Sequence, residues 1–225
     1  MFGPNASQGY DRSSIMYAPD GRIIQTEYAR EAMRRGSIAL AIRSNEGVVL
    51  AGKLKVVDLD FPNSKISKID EHISVIFSGY AADGRVIIDK ARVEAAIHKL
   101  TYDETIDLRN LATTLADYTH RFTVQGGLRP LGIGLLIAGV DDYNNEPNVY
   151  FLNPGGNFTK TRAKAIGDGD GKAMKFLKEK NETKNIDDMT IDELIVLAKE
   201  TIRHVSEEEL NDDEIEIWSK SVMSS

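Results

Sequence analysis

Along this chain the apolar residues change period several times, and the changes mark its elements. A helical period covers 22–35, where Ile24, Tyr28 and Ala32 share one face and Ala29 and Met33 lie beside it. The turn Ala18-Pro19-Asp20-Gly21 precedes it. Arg34 and Arg35 fall in its last turn, where cations suit the helix dipole, and Gly36 ends it. Strand-like runs follow at 37–43 and 48–53 around the hairpin-like Ser44-Asn45-Glu46-Gly47, then at 65–69 and 72–78. Helical spacing returns at 81–100 and at 108–123, the latter carrying Leu108, Leu111, Ala112, Leu115 and Phe122 on one stripe. Strands are predicted at 132–140, 149–152, near Phe158 and at 163–166, helices at 171–179 and 191–205, and a last half-exposed strand at 214–220. There Ile215 and Ile217 alternate with Glu214 and Glu216.

Blocks of strands alternating with blocks of helices predict an α+β fold. Antiparallel sheets face each other, and helix pairs cover them outside. The chain has 225 residues, 41% of them hydrophobic, enough for one sizeable core, and no repeat or low-complexity tract divides it. The segment 1–9 is polar and glycine-containing, too poor in apolar surface to offset its ordering entropy, and is expected to be flexible.

Composition narrows the function by exclusion. A formal net charge of −7 argues against non-specific nucleic-acid binding. The absence of cysteine removes disulfides, zinc–thiolate sites and thiol nucleophiles, and fits a reducing compartment. No run approaches the roughly 18 apolar residues that span a bilayer, and the N-terminus lacks a secretory signal. His72, His98, His120 and His204 show no metal-ligand spacing, so no metal and no cofactor is expected. Gly167-Asp168-Gly169-Asp170-Gly171 reads as a tight turn into a helix, because its two carboxylates would repel a phosphate. The acidic run 207–214 reads as a solvated loop.

One constellation is more specific. Tyr10-Asp11-Arg12, then Tyr17-Ala18-Pro19-Asp20-Gly21-Arg22-Ile23-Ile24-Gln25-Thr26-Glu27-Tyr28-Ala29-Arg30-Glu31-Ala32, closely resembles the N-terminal signature of proteasome α-type subunits. The likeness continues through Asn63-Ser64-Lys65-Ile66, Ser78-Gly79-Tyr80-Ala81-Ala82-Asp83-Gly84-Arg85, Gly126-Gly127-Leu128-Arg129-Pro130-Leu131-Gly132 and Ala165-Ile166-Gly167-Asp168-Gly169. Tyr17, Ala18 and Thr26 depart from the pattern, and the loop before Lys65 is about one residue short. The wording of the 27–32 stretch looks archaeal.

The resemblance implies the four-layer αββα sandwich of N-terminal-nucleophile hydrolases with an extra N-terminal helix. Residues 10–36 would form the signature turn and helix, and 37–225 the sandwich. It implies a cytoplasmic, non-catalytic wall of the 20S particle. Seven such chains would form a ring against proteasome β subunits, which carry the proteolysis, with residues 1–9 as a gate across the pore. Tyr10, Asp11, Arg12, Pro19 and Tyr28 would hold that gate. Lys65 would receive the C-terminal tails of a hexameric AAA+ ATPase. Gly36, Gly79, Arg129, Pro130 and Gly132 would shape the ring's structural turns. No catalytic residue is expected. Two other readings stay open: a self-processing hydrolase that cleaves before Ser37 and uses its hydroxyl, and a ring-forming scaffold paralogue. Lys53 stands against the hydrolase, because it occupies the place of the acidic partner that the nucleophile needs.

Overall fold

The computed structural model describes residues 15–54, 64–207 and 209–223. The first helix, α1 (Ile24–Arg34), is followed by β1 (Ala39–Arg43), β2 (Gly47–Lys53), β3 (Ile66–Lys68) and β4 (Ile73–Gly79). Two long helices come next, α2 (Ala81–Tyr102) and α3 (Leu108–Val124), then β5 (Ile133–Asp141), β6 (Glu146–Leu152), β7 (Phe158–Lys160) and β8 (Ala163–Ile166). The chain closes with α4 (Asp170–Thr183), α5 (Ile191–Val205) and β9 (Ile215–Ser221). Two antiparallel sheets result, ordered β8-β1-β2-β9 and β3-β4-β5-β6-β7.

The inner strands β1, β2 and β5 are apolar on both faces, so what alternates along them is size as much as polarity. On β1 and β2, Ala39, Ala41, Val48 and Leu50 meet Ile76, Leu136, Ala138 and Val149 of the other sheet. Their neighbours Leu40, Ile42, Val49 and Ala51 point the opposite way, onto Leu177, Leu194, Leu197, Ala198 and Ile202 of α4 and α5. The far face of the five-stranded sheet presents Ile73, Val75, Leu135 and Ile137 to Ile87, Ala91, Leu108, Leu111 and Leu115 of α2 and α3. Three apolar clusters therefore separate the elements, and a one-residue slip in any strand would exchange the contents of two of them.

Most boundaries fall within two residues of the expected ones, and the two larger differences have physical causes. β6 begins at Glu146 rather than Val149. Pro147 and Asn148 look like loop residues, yet both are buried. The Asn148 amide donates to Asp141 Oδ2 at 2.7 Å, and β7 pairs only Tyr150–Leu152, beyond the proline. Helix α4 runs to Thr183 rather than 179. Its last turn is polar and gives no apolar signal, and Lys180 is held from outside by Glu200 at 2.8 Å.

Among the described residues no three potential ligands gather as a metal site. His72 is buried, with Nε2 2.8 Å from Ile106 O, and His204 stacks on Phe176. Gly167 and Gly169 do form the turn into α4. The acidic run is less free than a solvated loop: Asp212 pairs with Lys199 at 2.9 Å and with Arg203. No helix is long and apolar enough to cross a membrane among the described residues.

Candidate functional site

Several of the residues singled out in the sequence, Tyr28, Gly36, Lys65, Gly79, Arg129, Pro130 and Gly132, gather into two neighbouring constellations against α1 and the start of β1. Helix α1 buries Ile24, Thr26, Ala29 and Met33 and leaves Tyr28 half exposed. The turn before it is closed by Gly21 N donating to Ala18 O at 2.8 Å, by Ala18 N donating to Arg22 O at 2.8 Å, and by an Arg22–Asp20 ion pair; Pro19 is exposed on its tip. Tyr10, Asp11 and Arg12 lie outside the described residues, as does the expected gate segment 1–9 and the shortened loop before Lys65. Within the described residues the structure thus carries only Pro19 and Tyr28 of the expected gate set, on one turn–helix unit.

The first constellation joins α1 to the 129–132 turn. Arg129 makes a two-pronged contact with Asp83, Nη1 to Oδ2 at 2.6 Å and Nη2 to Oδ1 at 2.9 Å. Gly132 N adds a third donor at 2.8 Å, and the guanidinium lies 5.5 Å from the Tyr80 ring centre. Burial opposes ionisation of Asp83, but the Arg129 hydrogen bonds and the Gly132 amide outweigh it and hold the carboxyl below its ordinary value. A shallow cavity of about 380 Å³ lies here, lined by Tyr28, Ala32, Tyr80, Arg129 and Pro130 among others. Gly36, Gly79 and Gly132 sit where backbones nearly touch. A Cβ on Gly36 would collide with the Gly79 amide, and a Cβ on Gly79, whose φ is +123°, would collide with the Gly132 carbonyl.

The second constellation surrounds Ser37, between α1 and β1. Lys65 reaches it from just before β3, its stem crossing β2 where Gly52 has no side chain to block the way. The Lys65 ammonium donates to Ser37 O at 2.7 Å, Ser37 Oγ at 2.7 Å and Ile38 O at 2.6 Å. Ser37 Oγ is also 3.0 Å from Lys53 O. Burial pushes the Lys65 pKa down to about 7, and the Glu216 carboxylate offsets only part of that shift. Glu216 grips the base of the lysine, accepting from Lys65 N at 2.5 Å, Ile66 N at 3.2 Å and Ser64 Oγ at 2.5 Å. Ser37 is exposed on a cavity of about 520 Å³, walled also by Arg35, Lys53, Asp168, Lys172 and Glu207.

Two residues with a part here escape sequence reasoning. Glu216 reads as the solvent face of an alternating strand, and its partners lie some 150 positions earlier, so no local signal exists. Asp83 sits in a first helical turn, where a carboxylate is ordinary, and only the fold delivers Arg129 to it.

The family described as Proteasome subunit matches residues 33–219, and the N-terminal signature described for A-type proteasome subunits matches residues 10–32. The chain therefore belongs to the proteasome subunit family, in its alpha class. The protein named Proteasome subunit alpha in Archaeoglobus fulgidus is 41% identical over 213 residues, covering 93% of this chain and 83% of that one. Those of the same name in Methanoregula boonei and Thermococcus sibiricus are 38% and 41% identical, over 95% and 89% of this chain and 88% and 75% of theirs.

Proposed function

We propose that this chain is a non-catalytic wall and gate subunit of the 20S core particle, built as the αββα sandwich of N-terminal-nucleophile hydrolases. In this reading seven copies or related chains form an outer ring in the cytoplasm, stacked on β subunits that cut the substrate. Residues 1–9 obstruct the axial pore, and Tyr10, Asp11, Arg12, Pro19 and Tyr28 hold the segment when the pore is open. Lys65 receives the C-terminal carboxylate of a hexameric AAA+ ATPase.

The observation that carries the non-catalytic part is the position of Ser37. A threonine-type nucleophile needs its own free α-amine as base, whereas helix α1, just before Ser37, is packed into the fold through Met33, Ala29 and Ile24. Cleavage before Ser37 would discard that helix. The docking part is supported by the ammonium's surroundings. Two of its three acceptors are fixed backbone carbonyls, and the third, Ser37 Oγ, is a rotatable side chain at the edge of the cavity. Rotating it frees one N–H for an arriving carboxylate, a charge-assisted contact suited to capture of a chain terminus.

One peptide-hydrolysis experiment on assembled α/β particles tests both parts. Removing residues 2–9 is expected to speed hydrolysis of a short peptide without any ATPase. Lys65→Ala is expected to abolish ATPase stimulation while leaving ring mass and basal hydrolysis unchanged. A truncated particle no faster than the full one removes the gate, and undiminished stimulation of Lys65→Ala removes the docking role.

A further inference from the structure

What Lys65 can receive depends on how many N–H groups its head carries. Among the described residues, three uncharged oxygens surround Nζ: Ser37 O at 2.7 Å, Ile38 O at 2.6 Å and Ser37 Oγ at 2.7 Å. The first two are backbone carbonyls leading into β1, and carbonyls only accept. An ammonium has three N–H groups, two for the carbonyls and a third for Ser37 Oγ or for an acceptor that replaces it. Ser37 Oγ has a second partner in Lys53 O at 3.0 Å, so it can turn aside and stay hydrogen-bonded. A neutral amine has only two N–H groups. The carbonyls consume both, and the lone pair is left facing the direction from which a carboxylate would arrive. Two centres of electron density then oppose each other, and the carboxylate finds no donor on the lysine.

The fold keeps the two forms of the lysine close in energy. Its head lies behind Ser37, which lines the cavity of about 520 Å³, and is withdrawn from water. Among the described residues the countercharge that opposes this burial is Glu216 on β9, whose oxygens are held by Lys65 N, Ile66 N and Ser64 Oγ. The cavity wall adds Arg35 after α1, Lys53 at the end of β2 and Lys172 on α4, against Asp168 before α4 and Glu207 after α5. Burial prevails and brings the lysine down to about 7, so charged and neutral forms coexist near neutral pH. A carboxylate touching the head would supply a full countercharge and favour the charged form.

We propose that carboxylate docking at Lys65 is proton-linked: a captured tail and one proton from solvent arrive together, and Ser37 Oγ gives up its place as the third acceptor. This inference rests on the ATPase-docking reading and adds to it a regulation by pH. Its sign follows from the lysine. Below about 7 the head is already charged, and docking is indifferent to pH. Above that value each docking event has to protonate the amine, so affinity falls about tenfold per pH unit. Engagement of the ATPase therefore weakens as pH rises above neutrality, while the wall of the particle stays as it is.

The test uses assembled α/β particles and two N-acetylated peptides copying the last residues of the ATPase, one ending in a free carboxylate and one in an amide. Titration calorimetry in two buffers of different ionisation enthalpy counts the protons taken up on binding. The amide peptide gives the baseline on unaltered particles, and Lys65→Ala particles give a second one. For the free acid the expected uptake is near zero at about pH 5.5, half a proton per site where the lysine is half charged, and close to one at about pH 8.5. Its affinity should fall about tenfold from about pH 7.5 to about pH 8.5. Glu216→Gln removes a countercharge and should move the onset of that fall to lower pH. Binding of the free acid that depends on Lys65 yet takes up no proton, with affinity flat over that range, overturns the linkage and leaves docking standing. Equal binding of acid and amide, or undiminished binding to Lys65→Ala particles, removes the docking reading and this inference with it.

Discussion

Asp83 and Lys65 are both charges withdrawn from water near the end of α1, and the fold treats them in opposite ways. Asp83 meets a full countercharge in the two-pronged Arg129 and takes a further donor from Gly132 N. Its carboxyl is held below the ordinary range, so the folded protein favours the ionised form. Lys65 is surrounded at its ammonium by uncharged oxygens, while Glu216, its carboxylate neighbour among the described residues, is spent on backbone amides. Its pKa drops to about 7 because burial costs more than those contacts return. The difference separates a structural pair from a site under electrostatic tension. The first fastens two segments of the chain, and the second keeps an incompletely compensated ammonium behind Ser37, which lines a cavity.

The comparison breaks most easily at Asp83. Asp83→Ala leaves Arg129 without its partner and Gly132 N without an acceptor, and loosens the 129–132 turn from the start of α2. The expected loss is about 3 kcal/mol of unfolding free energy, measured by denaturant titration near pH 7. The sign of the pH dependence follows from the depressed carboxyl. The folded pKa lies below the ordinary 3.8, so the stabilisation is complete above 3.8 and disappears as pH falls through the lower folded value. Acid titration of Asp83→Ala should therefore lack a component that the unaltered chain shows below pH 3.8. A loss under about 0.5 kcal/mol, the size of an ordinary surface change, would make the pair ornamental.

How far these two centres could be read beforehand differs for a physical reason. The helices and strands were legible because their signals are local: helical stripes such as Leu108, Leu111 and Leu115, and unbroken apolar runs such as 133–140. The antiparallel layering followed from the order of the blocks. Family resemblance pointed to Gly36, Gly79, Arg129, Pro130, Gly132 and Lys65, yet gave no account of the forces on them. What Lys65 touches depends on Ser37 and Glu216, which reach it only after β1, β3 and β9 have assembled. Long-range polar contacts leave no periodic trace, and so Glu216 looked like the outer face of a strand. Tyr10, Asp11 and Arg12 lie outside the described residues, and their role stays with the proposal.

The lysine side of the comparison is sharpened by charge removal. Lys65→Met keeps the stem over Gly52 and discards the ammonium together with its contacts to Ser37 O and Ile38 O. In the unaltered chain the unfolded lysine binds its proton up to about 10.5 and the folded one only to about 7. Between those values the unfolded state holds more protons, and stability rises with pH. Lys65→Met should lack that rise, so the unaltered chain gains on the variant by about 2 kcal/mol across the window, a figure discounted for partial exposure. Parallel stability curves for the two proteins from pH 7 to 10.5 would mean that the amine is solvated as an ordinary surface lysine.

The smallest effect tests where the residual compensation comes from. Glu216→Gln keeps an oxygen for Lys65 N and Ile66 N but removes the countercharge that, among the described residues, opposes the effect of burial on Lys65. The lysine pKa should then fall further below its present value of about 7, read from the titration of its ε-methylene resonances by NMR. The stability cost should be only about 1 kcal/mol, because the hydrogen bonds weaken without being lost. The direction of the titration shift matters more than the cost. A lysine pKa that rose in Glu216→Gln would mean the strand start at Ser64–Ile66 had moved and let water reach the amine. Glu216 would then act by fastening β3 to β9 and keeping water out, and its charge would contribute little at the ammonium itself.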